Sequence, residues 1–488
     1  MYIDCSGIIP ALKIGVAMRQ YFLFPLALTL VAQEIPTTLK DQQSLAVTIY
    51  NSNLALVKDQ REVRLPRGLC QLAFQEVSAQ IRPETAILSN LTSPKDFWIA
   101  EQNFDFDLLT PQKLLEKYVG EKVKVISTKP SIDGGTREAW EEATVLATNS
   151  GVVLQFEDRI ETSAPGRIVY PNVPANLRAR PTLVMTLNSP ADRAQKLELS
   201  YLTGGLSWRA DYVASLSTDE KSLDLSGWVT LTNQSGAAYP NAALQLVAGD
   251  VNRVSTAARG IEMADRAPMM TAYAAAPQMS QESLFEYHLY TLDRPTTLKE
   301  NQTKQVAMLS ASNVPVGKEY ILRDQSSNRL NSQSIGWQDK LKVGVFVGFD
   351  NKESSSLGKP LPKGIVRVYK KDNNGRAQFI GEDAIDHTPK NEAVRLKLGD
   401  AFDITARRRQ THHSKMSENV FEAANEIEIK NAKNEAVTVN VFEQMPGDFV
   451  IWENSHPQTK ENSRMAKFLV TVPAEGSATL KYRVRVTN

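Results

Sequence analysis

Leu480-Lys481-Tyr482-Arg483-Val484-Arg485-Val486 alternates apolar and basic side chains nearly to the end of the chain. Successive side chains of a strand point to opposite faces, so this run makes one apolar and one solvated face of a sheet. Runs of the same period recur over residues 45–50, 54–57, 62–65, 69–74, 182–187 and 196–202. Trp208, Ala210, Tyr212, Ala214 and Leu216 share one face, and Leu223, Leu225, Gly227, Val229 and Leu231 share the next. This rhythm predicts a mostly β protein built of Ig-like β-sandwiches, with a small SH3/Sm-like barrel and few short helices.

A chain of 488 residues is too long for one core, and its length predicts about three domains. The formal net charge of +1 gives no long-range field to gather nucleic acid. Met18-Arg19 followed by a largely apolar stretch over 21–32 has the form of a secretory signal, with residues 1–17 upstream of it. The stretch is shorter than the ~20 residues a membrane-spanning helix needs, so an exported protein without a transmembrane span is expected. Cys5 falls in that leader, which leaves Cys70 as a lone thiol on a strand, expected to be buried and inert.

The predicted order is a leader over 1–32, a linker over 33–44 and an N-terminal β domain over 45–108. A small β-barrel with one short helix follows over 109–181. Thr110 suits that helix as N-cap, Pro111 as its first residue and Gly120 as its stop. Residues 182–254 start a sandwich, 255–282 form a flexible Ala/Met-rich segment, and 283–350 resume the central strands. Residues 351–488 make a C-terminal Ig-like sandwich, with Asn374-Gly375 at a hairpin turn. There is also an internal echo. Residues 229–233 end in Asn233 and are followed by Gly249-Asp250, and residues 427–431 end in Asn431 and are followed by Gly447-Asp448. Two copies of one strand–turn–strand unit explain the spacing.

No constellation commits the chain to a chemistry. The only histidine grouping with metal-binding potential is Asp386-His387 with His412-His413, and adjacent histidines on a strand point apart. No cofactor and no metal are predicted. The strand-to-helix Gly-x-Ser-x-Gly elbow is absent, and Thr203-Gly204-Gly205-Leu206-Ser207 reads as a turn between strands. Acidic residues are abundant, yet nothing selects a facing pair for glycoside hydrolysis. Arg407, Arg408 and Arg409 open the most basic run and are the ligand-binding candidates, for phosphate, lipid A-like sugars or an acidic polysaccharide. Acidic neighbours on both sides lower the field of that run. Trp208, Trp228, Trp337 and Trp452 fit core positions, or sugar stacking where exposed.

Residues 202–212, 225–233, 246–251, 287–290 and 357–364 together resemble a bacterial family of exported proteins known as a domain of unknown function and related to the mucoidy-inhibitor A proteins. The resemblance runs from about Leu45 to the C-terminus. It implies β-rich domains and an envelope location, periplasmic or surface-associated, and brings no active-site residues with it. The name of the mucoidy-inhibitor relatives points to capsule or exopolysaccharide. No sustained heptad marks the coiled-coil insert of that branch. The expected function is therefore a non-enzymatic structural, binding or assembly module for an envelope protein or polysaccharide. The alternatives are a glycan-acting hydrolase or lyase with carboxylates in a cleft, and a chaperone-like secretion accessory protein offering a sheet edge.

Overall fold

The alternating runs pair into sheets whose apolar sides turn inward. The computed structural model describes residues 34–95, 97–105, 107–130, 135–174, 177–249, 251–252, 279–324 and 336–487, with Asp324, Asp339 and Lys340 described by backbone only. The predicted leader, Cys5 and nearly all of the Ala/Met-rich segment lie outside the described residues. The rest is mostly β in several sheets, with one α-helix.

Three sheets share the first and largest core. One orders Glu34–Thr37, Gly68–Gln75, Thr182–Ser189 and Trp98–Asp105. The second runs Met279–Leu284, Tyr287–Leu292, Tyr239–Ala248, Gln42–Tyr50, Leu54–Leu65, Arg193–Thr203 and Ile87–Asn90, with Thr296–Leu298 beside Tyr239–Ala248. The third runs Gln302–Pro315, Ser222–Asn233, Leu206–Leu216, Gly364–Lys371 and Ala377–Ile385. Trp208, Tyr212, Leu225 and Leu231 fill the interior between them, as their alternation requires. The Thr203–Leu206 turn works because Gly205 takes φ +78° and a Cβ there would sit 2.4 Å from Ser235 Cα.

Two sequence expectations are corrected here. Residues 34–44, read as linker, are ordered into the core: Glu34–Thr37 pairs in parallel with Gln71–Phe74. Fully buried Arg61 donates to Thr37 O at 2.9 Å and to Asp59 at 2.8 Å, and its guanidinium lies 3.8 Å from the Phe74 ring centroid. The hairpin Gly364–Ile385, read as part of the C-terminal sandwich, instead pairs in parallel with Ala210–Leu216. Parallel partners far apart in sequence leave no turn signal between them. The Asn374-Gly375 turn is where the sequence places it, with Gly375 at φ +77°.

Between Trp98–Asp105 and Thr182–Ser189 the chain leaves the first core and builds a small unit of its own. Thr110 Oγ1 accepts from Lys113 N at 3.1 Å and starts the helix Pro111–Lys117. Five strands follow in the order Ile160–Glu161, Val153–Gln155, Thr136–Ala147, Lys122–Pro130 and Arg167–Val169. Tyr118, Val125, Val145, Leu154 and Phe156 form the core of this unit. The sheet is open, because the two end strands do not pair, so the expected closed barrel does not form.

The last sheet has nine strands: Asp448–Asn454, Gly476–Thr487, Val420–Asn431, Ala393–Lys415, Trp337–Asp350, Gly317–Asp324, Val437–Gln444, Met465–Val472 and Gln458–Asn462. It folds over its own core, bringing Phe468 and Tyr482 from distant strands to 5.0 Å between ring centroids. Trp337–Asp350 and Ala393–Lys415 serve both large cores. Phe349, Val394 and Leu396 pack in the first, and Val343, Ile404 and Ala406 in the second.

The internal echo is a shared clasp. Asn233 Nδ2 donates to Ala237 O at 2.9 Å and Lys299 O at 3.0 Å, while its Oδ1 accepts from Ser235 N at 3.1 Å. Asn431 Nδ2 donates to Glu435 O at 2.8 Å and Pro473 O at 2.9 Å, and its Oδ1 accepts from Lys433 N at 3.0 Å. Both side chains are buried. Each ties its own turn to a second segment, so the same residue at the same offset satisfies backbone groups that the arch would otherwise strand.

Candidate functional site

Where the two-core ribbon passes from one core to the other, its outer face forms a groove of about 510 Å³. Ile321, Arg323, Lys342, Gly344, Phe346, Arg395, Lys397 and Asp400 line it. The pairing of the ribbon shifts register here, between Lys342 and Gly344 and again between Val345 and Phe346. Bulges of this kind re-aim side chains, and ligand sites favour junctions between packed units. A Cβ on Gly344 would sit 2.8 Å from the Phe346 ring, so glycine lets that ring lie down as part of the floor.

Four cations and one carboxylate line the groove. Lys342 Nζ lies 3.2 Å and Lys397 Nζ 3.5 Å from the Asp400 carboxylate. Burial alone would push the Asp400 carboxyl up, but the hydrogen bond from Lys342 and the charge of Lys397 outweigh it and hold the group below its ordinary value. Arg395 reaches Glu319 at 3.1 Å, at the rim. Arg323 makes no ion pair among the described residues, and its guanidinium rests 4.8 Å from the Phe442 ring centroid. Asp400 and the rim Glu319 together balance only two of the four cations, so the groove keeps a net positive charge beside an aromatic floor. That arrangement suits an anion with an apolar face.

The basic run picked out in the sequence divides by strand parity. Arg407 and Arg409 point outward, with guanidinium carbons 4.2 and 4.7 Å from the Trp337 centroid. Glu428 and Glu426 face them in register on the next strand; Arg407 pairs with Glu428, and Arg409 donates to Glu426 at 2.7 Å. Both are therefore neutralised. Arg408 points inward, where it pairs with buried Glu443 while Tyr482 donates to the same carboxylate at 2.5 Å. As a ligand candidate Arg408 is thus corrected to a core residue.

The histidine grouping is not assembled. His387 lies against Asn51 Nδ2 at 3.4 Å and Lys363 N at 3.3 Å, at the first core. His413 stacks on Phe421 in the C-terminal core, with centroids 5.7 Å apart, and His412 points the other way, exposed. Asp386 stays beside His387. Among the described residues no three His, Cys, Asp or Glu side chains gather closely enough to hold a metal. Trp208 is buried and donates to Val247 O at 3.3 Å, whereas Trp452 is partly exposed under Arg485. Cys70 is buried, and burial pushes its thiol up.

Sequence reasoning did not find Arg323, Lys342, Arg395 or Lys397. Each sits at an outward position of an alternating strand, where a cation is unremarkable. Only the order of strands brings them to one groove.

Fold and groove together define a class: a multi-sheet β protein with a charged surface groove at the junction of two cores. No helix among the described residues is long and apolar enough to cross a membrane. Residues 197–488 match the family described as Domain of unknown function (DUF4139), and the chain belongs to that family. The matched region holds the basic groove and both asparagine clasps, while the inserted five-stranded unit lies before it. No curated protein matches the chain.

Proposed function

We propose that the protein is a non-enzymatic, exported module of the cell envelope that holds an acidic polysaccharide in the groove between its two large cores. The observation that carries this reading is the convergence of Arg323, Lys342, Arg395 and Lys397 on a 510 Å³ groove with one lining carboxylate. Uronate carboxylates meet the cations, and the apolar face of a sugar ring meets Phe346. With a net charge of +1 the whole chain does not steer polyanions from a distance, so capture is local and short-ranged. The likeness to the mucoidy-inhibitor A proteins supports a glycan ligand, and the leader-like N-terminal sequence supports export.

The test is calorimetric titration of the purified chain with polygalacturonate at two salt concentrations. Binding that weakens as salt rises is expected. In Arg323→Glu/Lys397→Glu, two exposed charges each worth up to about 1 kcal/mol are reversed, which weakens binding by about tenfold or more. Absence of binding, or binding that this double variant leaves intact, sinks the reading.

A further inference from the structure

The inserted five-stranded unit carries a second groove, of about 840 Å³, on its outer face. Trp140, Glu142 and Thr144 alternate along one strand and share that face, and Gln155 stands directly opposite Thr144 on the next. Trp140 is 62% exposed, an unusual position for the largest apolar side chain. Ion pairs frame the groove: Lys122 with Glu142, and Arg159 with both Glu141 and Asp158. Thr144, Gln155 and Glu157, also in the lining, make no side-chain hydrogen bond or ion pair among the described residues.

We infer that this groove binds an uncharged polysaccharide or oligosaccharide, with Trp140 as its stacking platform. The amide of Gln155 and the hydroxyl of Thr144 each donate and accept, and Glu157 accepts, which suits the mixed donors and acceptors of sugar hydroxyls. The Lys124 ammonium lies 5.0 Å from the Trp140 ring centroid, and the exposed remainder of the indole offers a flat apolar surface to the C–H face of a pyranose. Thr144 lies four steps along the strand from Trp140, a span of about 13 Å that fits a short run of linked rings. A polyanion is disfavoured, because the lining carries four carboxylates against two cations. The site is thus complementary in charge to the basic groove and does not depend on it.

The test is native affinity electrophoresis of the full chain through gels containing dextran, hydroxyethylcellulose or galactomannan, at low and high salt. Retardation by at least one of these glycans is expected, and it should persist in high salt, because the glycan carries no charge for salt to screen. Trp140→Ala should weaken retardation by about tenfold and Trp140→Phe by less. Trp140 is exposed, so neither change should disturb the far-UV circular dichroism that reports the strands. Arg323→Glu/Lys397→Glu should leave this retardation unchanged, which separates the two sites. Migration unaffected by all three glycans, or retardation that survives Trp140→Ala, overturns the inference.

Discussion

The inward-facing Arg408–Glu443–Tyr482 cluster allows a quantitative test of how the C-terminal core is held. Arg408 is 9% and Glu443 3% exposed, and the Tyr482 hydroxyl donates to the Glu443 carboxylate at 2.5 Å. Glu443→Leu removes the anion and leaves the buried Arg408 guanidinium without that counter-charge. Breaking a buried pair in this way costs about 3–5 kcal/mol. Arg408→Met strands a carboxylate that still accepts from Tyr482 and can take up a proton, so its cost should fall at the lower end of that range. Arg408→Met/Glu443→Leu/Tyr482→Phe removes all three polar groups and adds apolar surface to a core of Val439, Val441, Phe468 and Val484. Such replacements range from neutral to about 4 kcal/mol stabilising. Guanidinium denaturation followed by tryptophan fluorescence and circular dichroism reads the midpoints. The triple variant should be at least as stable as the parent, although both single variants fall well below it. If the triple variant loses as much as the single variants added together, the cluster is not an energetically coupled unit and the argument is refuted.

Three further outcomes follow from the fold. Asn233→Ala and Asn431→Ala each remove at least three buried hydrogen bonds at about 1 kcal/mol apiece, so each should cost about 3 kcal/mol in denaturant titrations, and by similar amounts. Gly205→Ala forces a Cβ against Ser235 at φ +78°, and thermal unfolding should show a loss of about 1–3 kcal/mol. Glu426, hydrogen-bonded by Arg409 and also reached by Lys481, is held below its ordinary value. Its contribution is therefore present in full above the unfolded value of about 4.3 and disappears as pH falls through the lower folded value. Glu426→Gln should accordingly be less stable than the parent at neutral pH and converge with it in acid, as read by midpoints measured across that range.

Alternation carried most of the information about which side chains lie inside. The alternating residues from Trp208 to Leu216 and from Leu223 to Leu231 point inward as their period requires, and Thr110 and Pro111 mark the start of the α-helix, which ends at Lys117, short of the Gly120 stop that the sequence suggests. The asparagine echo was legible because each clasp uses a fixed offset from its own strand. Strand partnership was not legible. Gly364–Lys371 against Leu206–Leu216 and Glu34–Thr37 against Gly68–Gln75 are parallel pairs, joined by long crossovers that no local turn announces. Charge was legible as composition but not as position. Arg407, Arg408 and Arg409 form a block in sequence, yet strand parity sends the middle one into the core and leaves the other two facing glutamates across the ladder.

The same parity argument explains why the basic groove lies where it does. Phe346 pairs with Lys397 and Val345 with Gly399, so Leu398 is an extra residue on the longer strand. A one-residue offset exchanges the faces of a strand. Val394 and Leu396 point into the first core and Lys397 outward; without the offset, Asp400 would point inward with the even-numbered residues. The offset instead brings Asp400 to the outer face beside Lys397 and Lys342. Gly344 pairs with Asp400 and Lys342 with Thr405, so three further residues are extra, and the total offset of four restores the original phase. Ile404 and Ala406 then enter the second core with the parity that Val394 and Leu396 had in the first. Two cores can therefore share one uninterrupted pair of strands only if the irregularity between them is even in sum. The segment where it is locally odd is where charged side chains gather on the outer face.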